Sequence, residues 1–94
     1  MANNTTVNVD ANGWTLLTAA DVAQLTFQNV SHNFVFIKAT VGATPPASLA
    51  GAVRYNPGQG ERNVLLTDLF PGVTGANRVY AWADSAASVM VSYA

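Results

Sequence analysis

The stretch LTFQNVSHNFVFIKATV, residues 25–41, decides the fold class of this chain. Residues 25–29 alternate apolar and polar side chains, and residues 34–41 are β-branched or aromatic almost throughout. Between them lie residues 30–33, which are rich in turn formers. A strand, a polar turn and a second strand at this spacing predict a β-hairpin. The nearly continuous apolar second strand is typical of a strand covered on both faces, by a core and by a partner chain.

The same pattern continues outward and predicts about eight short strands, at the spacing expected of a sandwich or barrel. We expect them at residues 5–9, 14–17, 25–29, 34–41, 52–55, 61–66, 78–84 and 88–93. The third and fourth strands, the fifth and sixth, and the last two should each form a hairpin, and Trp14 should anchor the core. Residues 67–72 read as one helical turn that places Leu69 and Phe70 on the core.

These elements predict one all-β domain over residues 1–94, a small antiparallel β-sandwich or barrel that is jelly-roll or immunoglobulin-like. Two segments stand apart from the strands. Residues 1–6, MANNTT, are expected to form a flexible arm, and they lack the basic and apolar regions of a signal peptide. Residues 42–51 hold Pro45, Pro46 and two glycines, and should form a long surface loop that makes ordered contacts.

The composition limits the possible functions of the chain. Half of the 94 residues are apolar, only 10% are charged, the net charge is −1, and there is no cysteine. Clustered Lys and Arg for nucleic acid are absent from the sequence, as is a run of about 20 apolar residues for a membrane span. Such low charge fits a β-domain with much of its surface in subunit contacts, or a small monomer with an Ala/Thr/Asn surface.

The sequence shows no catalytic pattern, so we expect neither an enzyme nor a cofactor or metal site. The single histidine, His32, lies in a predicted turn without a carboxylate near it in sequence. Asp21, Asp68 and Asp84 are scattered beside turns, where aspartate usually bonds the local backbone. Residues 58–62, GQGER, lack the Lys-Ser/Thr ending of a phosphate-binding loop.

The last but one predicted strand carries the most distinctive surface candidates. Strand alternation places Val79, Ala81 and Ala83 on one face, and Tyr80 and Trp82 on the other with Arg78 and Asp84. The two aromatic residues could belong to the core, to a protein interface or to a sugar-stacking platform. Tyr, Trp and Arg are the residues most enriched at interface hot spots.

Several short stretches follow one another along the chain in a characteristic order: FIKATVGATPP at 36–46, GAVRY at 51–55, GERN at 60–63, LFPG at 69–72 and RVYAWA at 78–83. With Trp14 and the strand end FQN at 27–29, they resemble small β-rich virion proteins of tailed bacteriophages. Those proteins decorate the outside of the head as cement proteins, or form the base of head spikes or fibres.

The resemblance implies a non-enzymatic virion protein, made in the host cytoplasm, that binds the outer surface of the capsid and stabilises it. Its partners would be the major capsid protein and copies of itself in a trimer, without nucleic acid or membrane. The alternative is a spike, fibre or tail module that binds host-surface glycan through exposed aromatic residues. The candidate interface residues are Pro45, Pro46, Leu49, Arg54, Tyr55, Arg62, Arg78, Tyr80 and Trp82.

Overall fold

The computed structural model describes residues 2–94, and its regular secondary structure is almost entirely β-strand. One helical turn, α1 (Leu66–Leu69), follows the sixth strand. The strands are β1 (Asn3–Val9), β2 (Gly13–Leu16), β3 (Gln24–Asn29), β4 (Val35–Thr40), β5 (Val53–Tyr55), β6 (Gly60–Leu65), β7 (Arg78–Ala83) and β8 (Ala87–Tyr93).

The strands form two four-stranded antiparallel sheets packed face to face. Sheet A has the order β1-β8-β3-β6, and sheet B has the order β2-β7-β4-β5. The pairs β1-β8, β2-β7, β3-β6 and β4-β5 nest inside one another, as in a single long hairpin whose tip is the loop between β4 and β5. Rolling this hairpin sends alternate pairs to opposite sheets, and the pairings β3-β8 and β4-β7 complete each sheet. The predicted antiparallel sandwich is therefore confirmed, with the strand order of a jelly roll.

The three predicted hairpins are wrong, although the strands themselves are close to their predicted positions. The partners β3 and β4, β5 and β6, and β7 and β8 each lie in opposite sheets, so the turns between them are arches that cross the sandwich. Within residues 2–94, the one pair of consecutive strands that are neighbours in a sheet is β4 and β5, across the long loop. A polar turn between two strands has the same residue types whether the chain returns within a sheet or crosses to the other one.

The arch between β3 and β4 is held by the side chain of Asn29, which is fully buried. Its amide nitrogen donates to the carbonyl oxygens of Asn33 at 2.7 Å and Tyr55 at 3.1 Å. Its amide oxygen accepts from the backbone N–H and the hydroxyl of Ser31, at 3.1 and 2.7 Å. These bonds replace the ladder that a hairpin would have supplied, because a buried polar group is costly unless it is hydrogen-bonded.

The core lies between the inner faces of the sheets. Phe27 of sheet A meets Tyr55 of sheet B edge to face, with ring centroids 5.0 Å apart. Phe70, which follows α1, is buried, and Leu69 packs against the core, as the sequence predicts. The remaining large contributors are aliphatic side chains from both sheets, including Val9, Leu25, Val35, Ile37, Val79, Val89 and Val91.

The predicted flexible arm is a strand from Asn3 onward. Residues 3–6 are the first part of β1, which pairs with β8 in one uninterrupted register from Asn3 opposite Tyr93 to Val9 opposite Ala87. The amide of Asn3 also donates to the hydroxyl of Tyr93 at 3.1 Å. Met1, the first residue of the predicted arm, lies outside the described residues.

Candidate functional site

Strand β7 presents its small side chains to the core and its large ones to the outside. Val79, Ala81 and Ala83 are fully buried between the sheets. Tyr80 and Trp82 therefore lie on the outer face of sheet B, where Trp82 is half-buried. The core that these small side chains line also contains the large rings of Phe27 and Tyr55.

Aromatic side chains continue from Trp82 across the outer face of sheet B. Phe36 packs on Trp82 with ring centroids 6.0 Å apart, and Phe34 packs on Phe36 at 5.5 Å, both edge to face. The guanidinium carbon of Arg54 lies 5.3 Å from the ring centroid of Phe34, a cation–π contact. The strand registers place four of these side chains in one row, so that the aromatic face consists of Trp14, Trp82, Phe36 and Arg54, with Phe34 beside them.

The loop of residues 42–51 covers the neighbouring part of the same outer face. The hydroxyl of Tyr80 donates to the carbonyl oxygen of Ala43 at 2.6 Å, and the ammonium group of Lys38 donates to that of Ser48 at 3.4 Å. The loop begins at Gly42, whose φ of 78° favours glycine and whose N–H donates to Asn77 Oδ1 at 2.7 Å. Tyr80 is consequently only 3% exposed although it lies outside the core cluster.

The charged residues within the strands of sheet B are cationic. Arg54 on β5 is exposed, and Lys38 lies on β4 one row beyond Phe36. Arg78, at the beginning of β7, is paired within the chain, because its Nε lies 2.8 Å from Oδ1 of Asp21. Within residues 2–94, Arg54 at the border of the aromatic face has no carboxylate partner, so the face offers apolar rings and a cation, which suits a partner with apolar and acidic groups.

The structure brings together only some of the predicted interface residues. Arg54 and Trp82 belong to the aromatic face, and the predicted loop residues extend beside it: Pro45, Pro46 and Leu49. Leu49 is 38% exposed. Tyr80 joins this side of the molecule as the residue that holds the loop rather than as an exposed ring.

Two other predicted residues, Tyr55 and Arg62, lie elsewhere, and a third, Arg78, is on the outer face of sheet B but is held in an ion pair. Tyr55 is in the core cluster, and its hydroxyl donates to Oε2 of Glu61 at 3.2 Å. Arg78 is partly buried in its pair with Asp21. Arg62 is exposed on β6, in the opposite sheet from the aromatic face.

Sequence reasoning missed two members of the aromatic face and misassigned a third. Trp14, predicted to be a core anchor, is half-buried on the outer face and is not part of the core cluster. Strand alternation in the sequence indicates that Phe34 and Phe36 share one face and that Val35 and Ile37 share the other. In the structure Val35 and Ile37 are buried, so the two phenylalanines face outward.

The ionisable groups of the described residues do not form a metal-binding cluster. Between residues 2 and 94 no three His, Asp or Glu side chains lie close enough to hold a metal ion, and His32 is exposed in the arch after β3. Burial, together with the neighbouring carboxylate of Glu61, raises the pKa of Tyr55 and keeps its phenol protonated. No helix of this part of the chain is both long and apolar enough to cross a membrane.

No protein-family model, curated protein or solved structure matches this chain.

Proposed function

We propose that this chain is a non-enzymatic structural protein that binds other protein subunits through its aromatic face and the adjoining loop 42–51. The observation that carries the proposal is the row of half-buried rings with the exposed Arg54 at its border. Interfaces are enriched in Trp, Tyr, Phe and Arg, and a few such residues supply most of the binding free energy.

We further propose that the partner is a viral shell and that the chain is a capsid decoration protein of a tailed phage. The sequence stretches quoted above support this context by resemblance. The jelly-roll strand order supports it by analogy, because jelly rolls occur in viral capsid and lectin domains alike. The low proportion of charged residues, 10%, also fits a protein with much of its surface in subunit contacts.

Decoration stabilises a shell by mass action. A protein that binds only the assembled shell lowers the free energy of that state, and the contribution is repeated at every binding position. The aromatic face would supply the apolar contact with a capsid subunit. Arg54 would meet a carboxylate there, and the exposed Leu49 of the loop would extend the contact beyond the sheet.

The test is co-sedimentation of the purified protein with tailed-phage heads that lack a decoration protein, followed by electron microscopy. We expect ordered density at symmetry-related capsid positions. Arg54→Glu should reduce binding about tenfold or more, because it reverses the charge at the border of the face. Arg62→Glu is the matched control, since it makes the same charge change at an exposed strand position of the other sheet. Equal binding by both variants would rule out the aromatic face as the contact.

A second function, glycan binding, is favoured by one observation: Trp14 and Trp82 are half-buried neighbours on adjacent strands. Sugar platforms offer ring faces, however, and Trp82, Phe36 and Phe34 contact one another edge to face with interplanar angles of 61° and 85°. Rings packed edge to face form an uneven surface, which fits side chains of a protein partner better than the flat face of a sugar. Binding of the wild-type protein to a glycan array, without binding to heads, would replace the first proposal by the second.

A further inference from the structure

The four outer edges of the two sheets are unequally protected against pairing with another strand. Strands β2 and β5 have only four and three residues, and β5 carries Arg54. Strand β6 carries Glu61 and Arg62, and its register with β3 is interrupted by a bulge at Asn63, whose φ is 47°. Short length, charge and bulges are the usual devices that prevent edge-to-edge association.

Strand β1 has none of these devices. Its seven residues, NNTTVNV, make it as long as any strand described, and they contain neither a charge nor a proline. Its register with β8 runs without a shift, and its first four residues are exposed. An edge of this kind is a template for a further strand.

The backbone groups on the free side of β1 have no partner among the described residues. Residues 3–9 make no backbone hydrogen bond outside the ladder with β8. In an antiparallel ladder about half of the N–H and C=O groups of an edge strand point away from its neighbour. Thr5 and Val7 lie on the side of β1 that faces sheet B, as does the buried Val9. Sheet B does not cover Thr5, which is exposed.

We propose that β1 pairs antiparallel with β1 of a second copy of this chain, joining the two sheets A into one eight-stranded sheet. The register that uses the whole strand places Thr6 opposite Thr6, Thr5 opposite Val7 and Asn4 opposite Asn8. It keeps inner side chains with inner ones and polar outer side chains with polar outer ones. The contact is a symmetric pair that closes at two copies.

The sequence of β1 favours a second copy over an unrelated strand. A self-pairing strand is penalised where like charges face one another, and β1 has no charge to oppose. Its central residues are β-branched, and cross-strand pairs of such side chains stabilise a sheet. The inference is independent of the proposed function, because β1 belongs to sheet A and the aromatic face to sheet B.

The first experiment compares oligomeric states by sedimentation velocity over a wide range of protein concentrations. We expect a dimer for the wild-type chain. Thr6→Lys places one lysine opposite another only in the dimer, since in the monomer Thr6 faces Met90. It should raise the dimer dissociation constant about fivefold or more, and Thr6→Glu should do the same. Mixing the two variants should restore a dimer.

Gln24→Lys is the matched control, because Gln24 is exposed on the same outer face of sheet A but lies on β3, away from the edge. It should leave the dimer intact. Circular dichroism of each variant establishes that it is folded. A monomeric or trimeric wild-type chain, or a Thr6→Lys variant that dimerises as the wild type does, would overturn the proposal.

A second experiment tests the register. The chain has no cysteine, so a single one can be introduced cleanly. Residues directly opposite in an antiparallel pair have Cα atoms about 4.5–5.5 Å apart, within the range that a disulfide spans. Thr6→Cys should therefore give a covalent dimer under mild oxidation, whereas Gln24→Cys should not. Equal cross-linking of the two variants would contradict the register, because it would report random collision.

Discussion

The side-chain amide of Asn29 uses both its donor and its acceptor capacity inside the arch between β3 and β4, which makes its chemistry testable by an isosteric change. Asn29→Asp replaces the donating nitrogen by an oxygen that faces the carbonyl oxygens of Asn33 and Tyr55. The substitution also buries a negative charge whose hydrogen-bond donors, the N–H and hydroxyl of Ser31, are uncharged. We expect a loss of about 3 kcal/mol or more in the free energy of unfolding, measured by urea denaturation.

Asn56→Asp is the control for this change, since Asn56 is exposed in the turn after β5. It should alter the stability by no more than about 0.5 kcal/mol. If both variants lost the same small amount, Asn29 would not be the residue that holds the arch.

Tyr55 gives the fold a specific sensitivity to alkaline pH. Burial first, and then the carboxylate of Glu61, raise the pKa of Tyr55 in the folded chain above the value of about 10 in the unfolded chain. Above about pH 10 the phenol of Tyr55 loses its proton in the unfolded chain but retains it in the folded chain. The stability contributed by this group is therefore fully present below about pH 10 and is lost as the pH rises further, by up to about 1.4 kcal/mol per pH unit.

Tyr55→Phe should remove this alkaline loss and leave a flatter dependence of the unfolding free energy on pH above 10. Near neutral pH the variant loses only the hydrogen bond to Glu61, a cost of about 1 kcal/mol. Glu61→Gln keeps the phenol but removes the carboxylate, so its alkaline loss should be intermediate. Parallel curves for the wild type and Tyr55→Phe between pH 9 and 11 would refute the assignment.

Among the secondary-structure elements, the strands could be predicted from the sequence and their partners could not. Alternation and turn residues mark each strand locally, but an arch and a hairpin have the same turn chemistry. What distinguishes them is the tertiary environment, here the burial of Asn29 between the strand ends. Strands β4 and β5 pair across a long loop, and the sequence of that loop does not indicate that they are partners.

The candidate site was predicted in part for a similar reason. Alternation correctly grouped Tyr80 with Trp82, yet both faces of β7 are apolar, so the pattern could not tell which one is inside. The small residues Ala81 and Ala83 occupy the core, together with aromatic side chains from other strands. That Tyr80 is covered and Trp82 is not depends on the loop over the sheet, which the sequence of β7 does not encode.

The junction of β6 with β3 leaves no room for a side chain at Gly60. A Cβ at Gly60 would overlap the carbonyl oxygen of Phe27 and lie 2.7 Å from Cα of Gln28. Gly60→Ala must push β6 away from β3, and we expect a loss of about 2 kcal/mol or more in the free energy of unfolding. Gly72→Ala, where a Cβ meets no atom within 4 Å, is the control. A Gly60→Ala variant as stable as this control would show that β6 moves at no cost.

The molecule as a whole has two unlike outer faces. Sheet A presents mainly uncharged polar side chains such as Thr6, Gln28 and Ser92, with Arg62 on its β6 edge, whereas sheet B presents the aromatic face with Arg54. Different partners are expected for surfaces of such different chemistry. The self-pairing edge and the aromatic face can therefore be occupied at the same time, as a protein that links several subunits requires.

The nested pairing of the strands also predicts that the chain can be opened at its loop and closed at its ends. Asn3 lies opposite Tyr93, so a short linker can join the ends of β8 and β1 as a new hairpin. New ends between Ala47 and Ser48 would interrupt only the exposed loop. The order of nesting is unchanged by this permutation, because the tip of the long hairpin and its open end simply exchange roles.

We expect this circular permutant to fold with the wild-type near-ultraviolet circular dichroism and to unfold cooperatively, within about 2 kcal/mol of the wild type. The control permutant has the same linker but its new ends between Ser31 and His32, inside the arch that Asn29 holds. It should lose cooperative unfolding, since the ordered backbone around a buried amide is cut. Equal stability of the two permutants would contradict this prediction. It would mean that cutting the arch costs the fold no more than cutting the long loop.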